Sequence, residues 1–199
     1  MLQPYKQGSA TGTALIALGS NLTSGFGSPA ETVRLGLEKL SEVGLKVLKV
    51  SRFFATPCFP AGAGPDYVNA CAEIRSDLAA VDLLAALHAV EAEFGRDRAQ
   101  RWASRTLDID LLALGGQVHP DLETQENWQA LSLKNQQLRA PDQLILPHPR
   151  LQDRAFVLVP LADIAPDWTH PVLGATVIEM LNKLPDVDRA AVVPMENGR

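Results

Sequence analysis

Asp108 and Asp110 stand two residues apart in RWASRTLDIDLLALGG (101–116), inside an apolar run and just after Arg101 and Arg105. On an extended strand, residues i and i+2 point to one face, so the two carboxylates become neighbours while Leu107, Ile109 and Leu111 face the other way. Like charges that close repel. They are stable together when a cation neutralises them, when one is protonated, or when arginines pair with them. Oxygen-only ligation by two carboxylates suits Mg²⁺, which keeps several waters and completes its shell with substrate phosphates. Arg96, Arg98, Arg101 and Arg105 would offer planar donors to the same phosphate oxygens. The plain alternative is a set of surface Arg–Asp pairs at a sheet edge.

Other chemistry-bearing residues are more scattered. Three of the four histidines, His119, His148 and His170, precede proline, and none has metal-ligand spacing with another. A structural or solvent-facing role suits His119 and His170. GSNLTSGFGS (19–28) lacks the third glycine of a dinucleotide fingerprint, and no Walker lysine motif occurs in the chain. Gly19 there suits close approach of the backbone to a ligand. GRDRAQRWAS (95–104), dense in arginine with one tryptophan, suggests a mobile lid that closes on phosphates, with Trp102 sealing it against water. The alternative for Trp102 is packing on the sheet rim.

The elements that must position these residues follow from hydrophobic periodicity. TALIAL (13–18) is a short apolar strand, and 30–43 has helical spacing at Val33, Leu37 and Leu40, with Pro29 suited to the first turn. LKVLKVSRFFA (45–55) alternates as one second strand ending at Thr56-Pro57, and YVNACAEIRS (67–76) is a third. The spacing of Val81, Leu84, Leu87, Val90 and Phe94 predicts a helix over 80–94, closed by Gly95. Residues 107–114 form the fourth strand. The fold class is therefore α+β, a ferredoxin-like split βαβ arrangement (βαββαβ) with helices on one face of a mixed sheet and additional C-terminal helices in RAFVLVPLADIAP and 177–184.

One domain is expected over 1–199, with an N-terminal extension (1–12), a polar excursion (115–142) anchored at Trp128 and Leu131, and a tail (185–199) that frays. A hydrophobic content of 46% and a charged content of 21% describe a globular chain able to bury a real core. No apolar run is long enough to span a bilayer, and MLQPYKQGSATG lacks a signal-peptide core. Cys58 and Cys71 are read as free thiols in the cytosol. The net charge of -5 argues against nonspecific nucleic-acid binding and favours a small ligand.

The acidic motif coexists with ALGSNL (17–22), TPCFP (56–60), PDYVNA (65–70) and LPHPRLQDRAFVLVPL (146–161). In these motifs, from about Ala14 to Pro166, the sequence resembles the 6-hydroxymethyl-7,8-dihydropterin pyrophosphokinase family of folate synthesis. The resemblance implies pyrophosphate transfer from ATP to a pterin hydroxymethyl group, with two Mg²⁺ ions bound with ATP by Asp108 and Asp110. It assigns catalysis to Arg96, Arg105, Asp108 and Asp110. It assigns ATP binding to His88, Glu91, Arg98, Trp102, Leu111, His148 and Arg154. For the pterin it implies Thr56, Pro57, Cys58, Phe59, Tyr67, Asn69 and Phe156, where flat stacking surfaces and an amide suit a ring with donors and acceptors on one edge. Standing alone, Tyr67 and Phe156 read better as core aromatics and Asn69 as a turn cap, and it is their joint presence with the acidic pair that reverses the preference.

The resemblance implies a cytoplasmic monomer that binds ATP and the pterin and neither nucleic acid nor membrane, with room for weak association with other folate-pathway enzymes. The lid is about one residue shorter than the family pattern, which bears on Arg96 and Arg98, and the excursion is longer. Two readings of other classes stay open: a noncatalytic ferredoxin-like binding module, and a metal-dependent phosphohydrolase, which would call for more metal-binding side chains than this acid pair.

Overall fold

A computed structural model describes residues 12–58, 64–95, 106–132, 135 and 139–196. Among them the chain runs β1 (Gly12–Ser20), α1 (Pro29–Glu42), β2 (Lys46–Val50), β3 (Phe54–Thr56), β4 (Tyr67–Ser76), α2 (Ala80–Glu93) and β5 (Asp108–Leu114). Then follow α3 (Leu122–Gln129), α4 (Ala155–Ile164), α5 (Val177–Lys183), α6 (Asp186–Ala190) and β6 (Val193–Pro194). The sheet order is β5-β1-β4-β3-β6, with β2 also paired to β4. Every named strand pair is antiparallel, so the sheet is not the mixed one expected.

Strand alternation sorts the apolar side chains into two cores. Ala14, Ile16 and Leu18 of β1, Ala72 and Ile74 of β4, and Leu107, Ile109 and Leu111 beside or within β5 pack against Val33 and Leu40 of α1 and Leu83, Leu87 and Val90 of α2. Leu15, Cys71, Leu112 and Ala113 meet Val157, Leu158 and Leu161 of α4 and Val177 and Met180 of α5. Helices thus cover both faces, α1 and α2 on one and the C-terminal pair on the other. A bulge where β1 shifts register between Leu15 and Ile16 lets Leu112 and Ala113 share the second core.

Local chemistry explains the starts and stops. Ser28 and Glu31 form a capping box at α1, and Pro29 occupies its first turn. Gly36 lets α1 approach β5, since a Cβ there would lie 2.8 Å from Leu107. The strand expected over 45–55 is divided into β2 and β3. Between them the Ser51 hydroxyl accepts the Cys71 N–H at 3.0 Å, replacing a ladder carbonyl, while Arg52 turns out to form a two-pronged pair with Asp163 of α4 at 2.9 and 2.8 Å.

At the periphery the described residues hold more structure than the sequence advertises. The polar excursion contains α3, capped by Asp121, whose side chain accepts the Thr124 N–H at 2.8 Å. Its fully buried residue is Gln125, which donates to Pro147 O at 3.4 Å, while Trp128 and Leu131 are only half-buried. The tail does not fray through its described part: 186–190 is helical, β6 pairs with β3, and Met195 N–H donates to Phe53 O at 2.8 Å. The free edge of β3 supplies the backbone partners that a polar tail sequence does not advertise.

Candidate active site

Register across three strands builds the acid face. Asp108 lies opposite Gly19 and Asp110 opposite Ala17 on β1; on the far side of β1, Gly19 lies opposite Asn69 and Ala17 opposite Cys71. Opposed residues share a face, so Asp108, Asp110 and Asn69 project together, with Asp108 and Asn69 two strand spacings, about 10 Å, apart. Gly19, itself buried, stands between Asp108 and Asn69, and Ala17 stands between Asp110 and Cys71, so no bulky side chain separates the acids from the amide. Both acids are half-buried, with their outer parts reachable by solvent.

The floor on the β4 side is rigid. Asn69, buried at 8% exposure, donates through Nδ2 to Thr56 Oγ1 at 2.5 Å. Thr56 pairs in register with Tyr67, and Phe54 with Asn69. A Cβ on Gly19 would come within 2.9 Å of Asn69 Oδ1, so the close approach that glycine allows is to this amide. Cys58, half-buried, donates its N–H to Asp66 Oδ1 at 3.2 Å, and Asn21 Nδ2 donates to Pro65 O at 3.3 Å; these bonds tie down the ends of the loop that starts at exposed Pro57.

The opposite wall comes from the start of α4. Arg154 Nη1 lies 3.0 Å from Asp110 Oδ2, and the same guanidinium lies 5.6 Å from the ring centre of Phe156, a residue that is 41% exposed. Phe156 is therefore a rim aromatic rather than a core one. Arg154 links the acid pair to an exposed flat surface through one side chain. His148 donates its backbone N–H to Leu112 O of β5 at 2.8 Å, and its Nδ1 accepts the Arg150 N–H at 3.1 Å, which leaves Nε2 to carry the proton. Loss of solvent around the ring, then the Arg154 cation, hold its pKa well below the usual imidazole range. A neutral His148 beside Arg154 is a hydrogen-bond donor, not a second cation. Beside Ala17, on β4, burial pushes the Cys71 thiol pKa up, and the Asp163 and Asp110 charges add to the effect. This thiol is inert core.

Other residues expected at the nucleotide separate from this face. Leu111 sends its side chain into the α1–α2 core at 4% exposure, as alternation with Asp110 requires. Glu91 is completely buried on α2, where its Oε1 accepts the Ile109 N–H at 2.7 Å. His88 sits half-buried one turn before it. Phe59, Arg96, Arg98, Trp102 and Arg105 lie outside the described residues, as does most of the expected lid. Sequence reasoning missed Asp66 as the clasp of the 57–66 loop, although the PDYVNA motif contains it. It also missed the contact that makes Gly19 necessary.

Among the described residues, no group of three or more His, Cys, Asp or Glu side chains is placed to hold a metal ion. Asp108 and Asp110 offer two carboxylates from one face with an open front, a donor set that fits a hard divalent cation whose remaining ligands are phosphate oxygens and water.

Comparison with known sequences resolves the family. Residues 15–166 match the family described as 7,8-dihydro-6-hydroxymethylpterin-pyrophosphokinase (HPPK). The chain belongs to the HPPK family. A Synechocystis relative named 2-amino-4-hydroxy-6-hydroxymethyldihydropteridine pyrophosphokinase is 35% identical over 186 residues, covering 93% of this chain and 81% of the relative. A Pseudomonas aeruginosa protein of the same name is 37% identical over 180 residues, covering 85% and 95%. In structure, the wild-type Plasmodium falciparum HPPK-DHPS matches with a TM-score of 0.60 at 14% identity, covering 89% of this chain and 45% of that one. At that identity it speaks for the fold alone. Membership of the HPPK family makes this chain a pyrophosphokinase, a transferase, and among its described residues no helix is long and apolar enough to cross a membrane.

Proposed function

We propose that this HPPK-family chain transfers pyrophosphate from ATP to the hydroxymethyl group of 6-hydroxymethyl-7,8-dihydropterin, giving AMP and the pterin diphosphate in folate synthesis. The observation that carries this reading is the row Asn69–Gly19–Asp108 across β4, β1 and β5, which puts an amide and a carboxylate pair on one face, and an amide there suits a ring edge. The names of the bacterial relatives supply the pterin. The strand order, with α1 and α2 packed on one face, supports a ferredoxin-like split βαβ core, and one domain with its excursion over 115–142.

The pterin lies with its edge on Asn69 and the backbone at Thr56 to Cys58, flanked by Tyr67 and Phe156; Phe59 belongs to the same wall. The triphosphate lies over Asp108 and Asp110. Arg154 moves from Asp110 toward phosphate oxygens, to which neutral His148 also donates, while Arg96 and Arg105 serve catalysis and Arg98 and Trp102 serve ATP binding. His88 serves the nucleotide side. Two Mg²⁺ ions bound with ATP by the acid pair would neutralise phosphate charge and lower the pKa of the attacking hydroxyl. The hydroxyl attacks the β-phosphorus in line and releases its proton to solvent, and the bond from the β-phosphorus to the oxygen bridging the α-phosphorus breaks, that oxygen leaving on AMP. The side chains align the reactants and disperse charge; none acts as a nucleophile. The protein works as a monomer in the cytoplasm, with ATP and the pterin as its partners.

Nucleotide analysis after mixing protein, ATP, Mg²⁺ and the pterin tests this. AMP matched to pterin diphosphate, abolished by Asp110→Ala, is expected. ADP in place of AMP refutes pyrophosphoryl transfer, and unchanged turnover in Asp110→Ala refutes the metal assignment.

A further inference from the structure

Glu91 is a buried acid that stands apart from the open face. It sits on α2 beside Leu87 and Val90, fully buried, yet its Oε1 accepts the backbone N–H of Ile109 at 2.7 Å. Ile109 is the residue between Asp108 and Asp110, and its own side chain is buried at 2% exposure in the α1–α2 core. Among the described residues β5 is an edge strand with β1 on one side only, and the Ile109 N–H goes to a side chain instead of a neighbouring strand. Further along β5, Leu112 O is likewise met from outside the sheet, by the His148 N–H at 2.8 Å. The acid strand is therefore held along its length by bonds from helix α2 and from the segment before α4. A carboxylate oxygen is among the strongest acceptors for a backbone amide. Leaving that amide unmet in the core would free the backbone exactly where two acids must share one geometry.

We propose that Glu91 is a positioning residue. By holding the Ile109 amide, it fixes the peptide units between Asp108 and Asp110, and with them the spacing and aim of the two carboxylates toward a divalent cation. This rests on reading Asp108 and Asp110 as the metal ligands. It gives Glu91 a role in place of the nucleotide contact that the family resemblance implies. Groups that orient ligands without touching the metal typically change metal affinity by about 10–100-fold when removed.

The test is Mn²⁺ binding, followed by electron paramagnetic resonance in the presence of α,β-methylene ATP, for the full chain and three variants whose fold is checked by circular dichroism. Glu91→Met, which keeps the volume and removes the acceptor, is expected to bind Mn²⁺ about tenfold more weakly. Glu91→Gln, which keeps Oε1 as an acceptor, is expected to stay within about twofold of the wild type, on the same ground that the bond and not the charge does the positioning. If Glu91→Met folds and binds Mn²⁺ as the wild type does, while Asp110→Ala has lost binding, the role of Glu91 falls and the metal reading stands. If Asp110→Ala binds as the wild type does, the metal reading falls and takes this proposal with it. Should Glu91→Met not fold, Glu91→Gln decides: weakening of about tenfold would assign the effect to charge and overturn the proposal, and near-wild-type affinity would support it.

Discussion

Replacing Gly19 with alanine asks how firmly the proposed pterin wall is held. The new Cβ would lie 2.9 Å from Asn69 Oδ1, closer than a carbon and an amide oxygen settle. Asn69 has little freedom to yield, because Nδ2 is fixed 2.5 Å from Thr56 Oγ1 and the residue is 8% exposed. Relief requires the amide to rotate or shift by a few tenths of an ångström, at a cost of about 1 kcal/mol for a weakened hydrogen bond and up to about 3 if a buried polar atom is left unmet. Removing a strand glycine returns about 0.5–1 kcal/mol. Folded stability should therefore fall by about 1 kcal/mol. The displaced ring-edge partner should lower pterin affinity by about 1.4 kcal/mol, a factor of about ten. Titrating both proteins with the pterin, by intrinsic fluorescence, and with α,β-methylene ATP separates the effects. The expected result is an approximately tenfold rise in the pterin Kd with nucleotide affinity within about twofold. A folded Gly19→Ala protein that binds the pterin as the wild type does would refute the reasoning that this contact fixes Asn69.

Asp121→Ala removes the cap of α3 and should cost about 1 kcal/mol. Hydrogen exchange should therefore quicken at Thr124 and Gln125, and unchanged protection there would show that the Asp121 bonds contribute nothing to the helix. His170 is completely buried, accepts the Val172 and Leu173 N–H groups through Nδ1, and has its pKa pushed down by burial to about 4, from an ordinary value of 6.5. Because the unfolded chain takes up this proton first, stability is full above about pH 7 and is lost as pH falls through 6.5 toward 4, by about 1–2 kcal/mol at pH 5. Urea midpoints at pH 8 and pH 5 should differ accordingly, and by less in His170→Gln; an equal difference in the variant would remove His170 as the cause.

Much of the fold was legible because burial imposed a period on it. Val33 and Leu40, or Leu87 and Val90, announce helices lying on a sheet, although Val81 of the expected stripe is exposed and Leu83 takes the core position instead, and the alternation of Asp108 and Asp110 with Ile109 and Leu111 announces the acid face. What escaped had no period to read. At Ser51 a hydroxyl stands in for a ladder carbonyl, so a continuous alternating pattern covers two strands. The buried anchor of α3 is Gln125, a polar residue, so its helix shows itself only through Asp121 as a cap. β6 is two exposed residues whose structure comes from pairing with β3. The site divides in the same way. Which side chains share the acid face follows from parity, whereas the bond from Glu91 to a backbone amide 18 positions away leaves no trace in composition or spacing.

The pairing of β6 with β3 also has a consequence for the order in which the molecule is made. β3 carries Thr56, which holds Asn69, and among the described residues its outer edge is met by the C-terminal segment, in the pairs Phe54–Pro194 and Ala55–Val193 and the bond from Met195 N–H to Phe53 O. A nascent chain emerging from the ribosome can pair β1, β4 and β5 and bring the acids together while β3 still exposes a bare edge. The half of the site that resembles a phosphate platform is thus available early in synthesis, and the wall beside Asn69 is finished among the last events of folding.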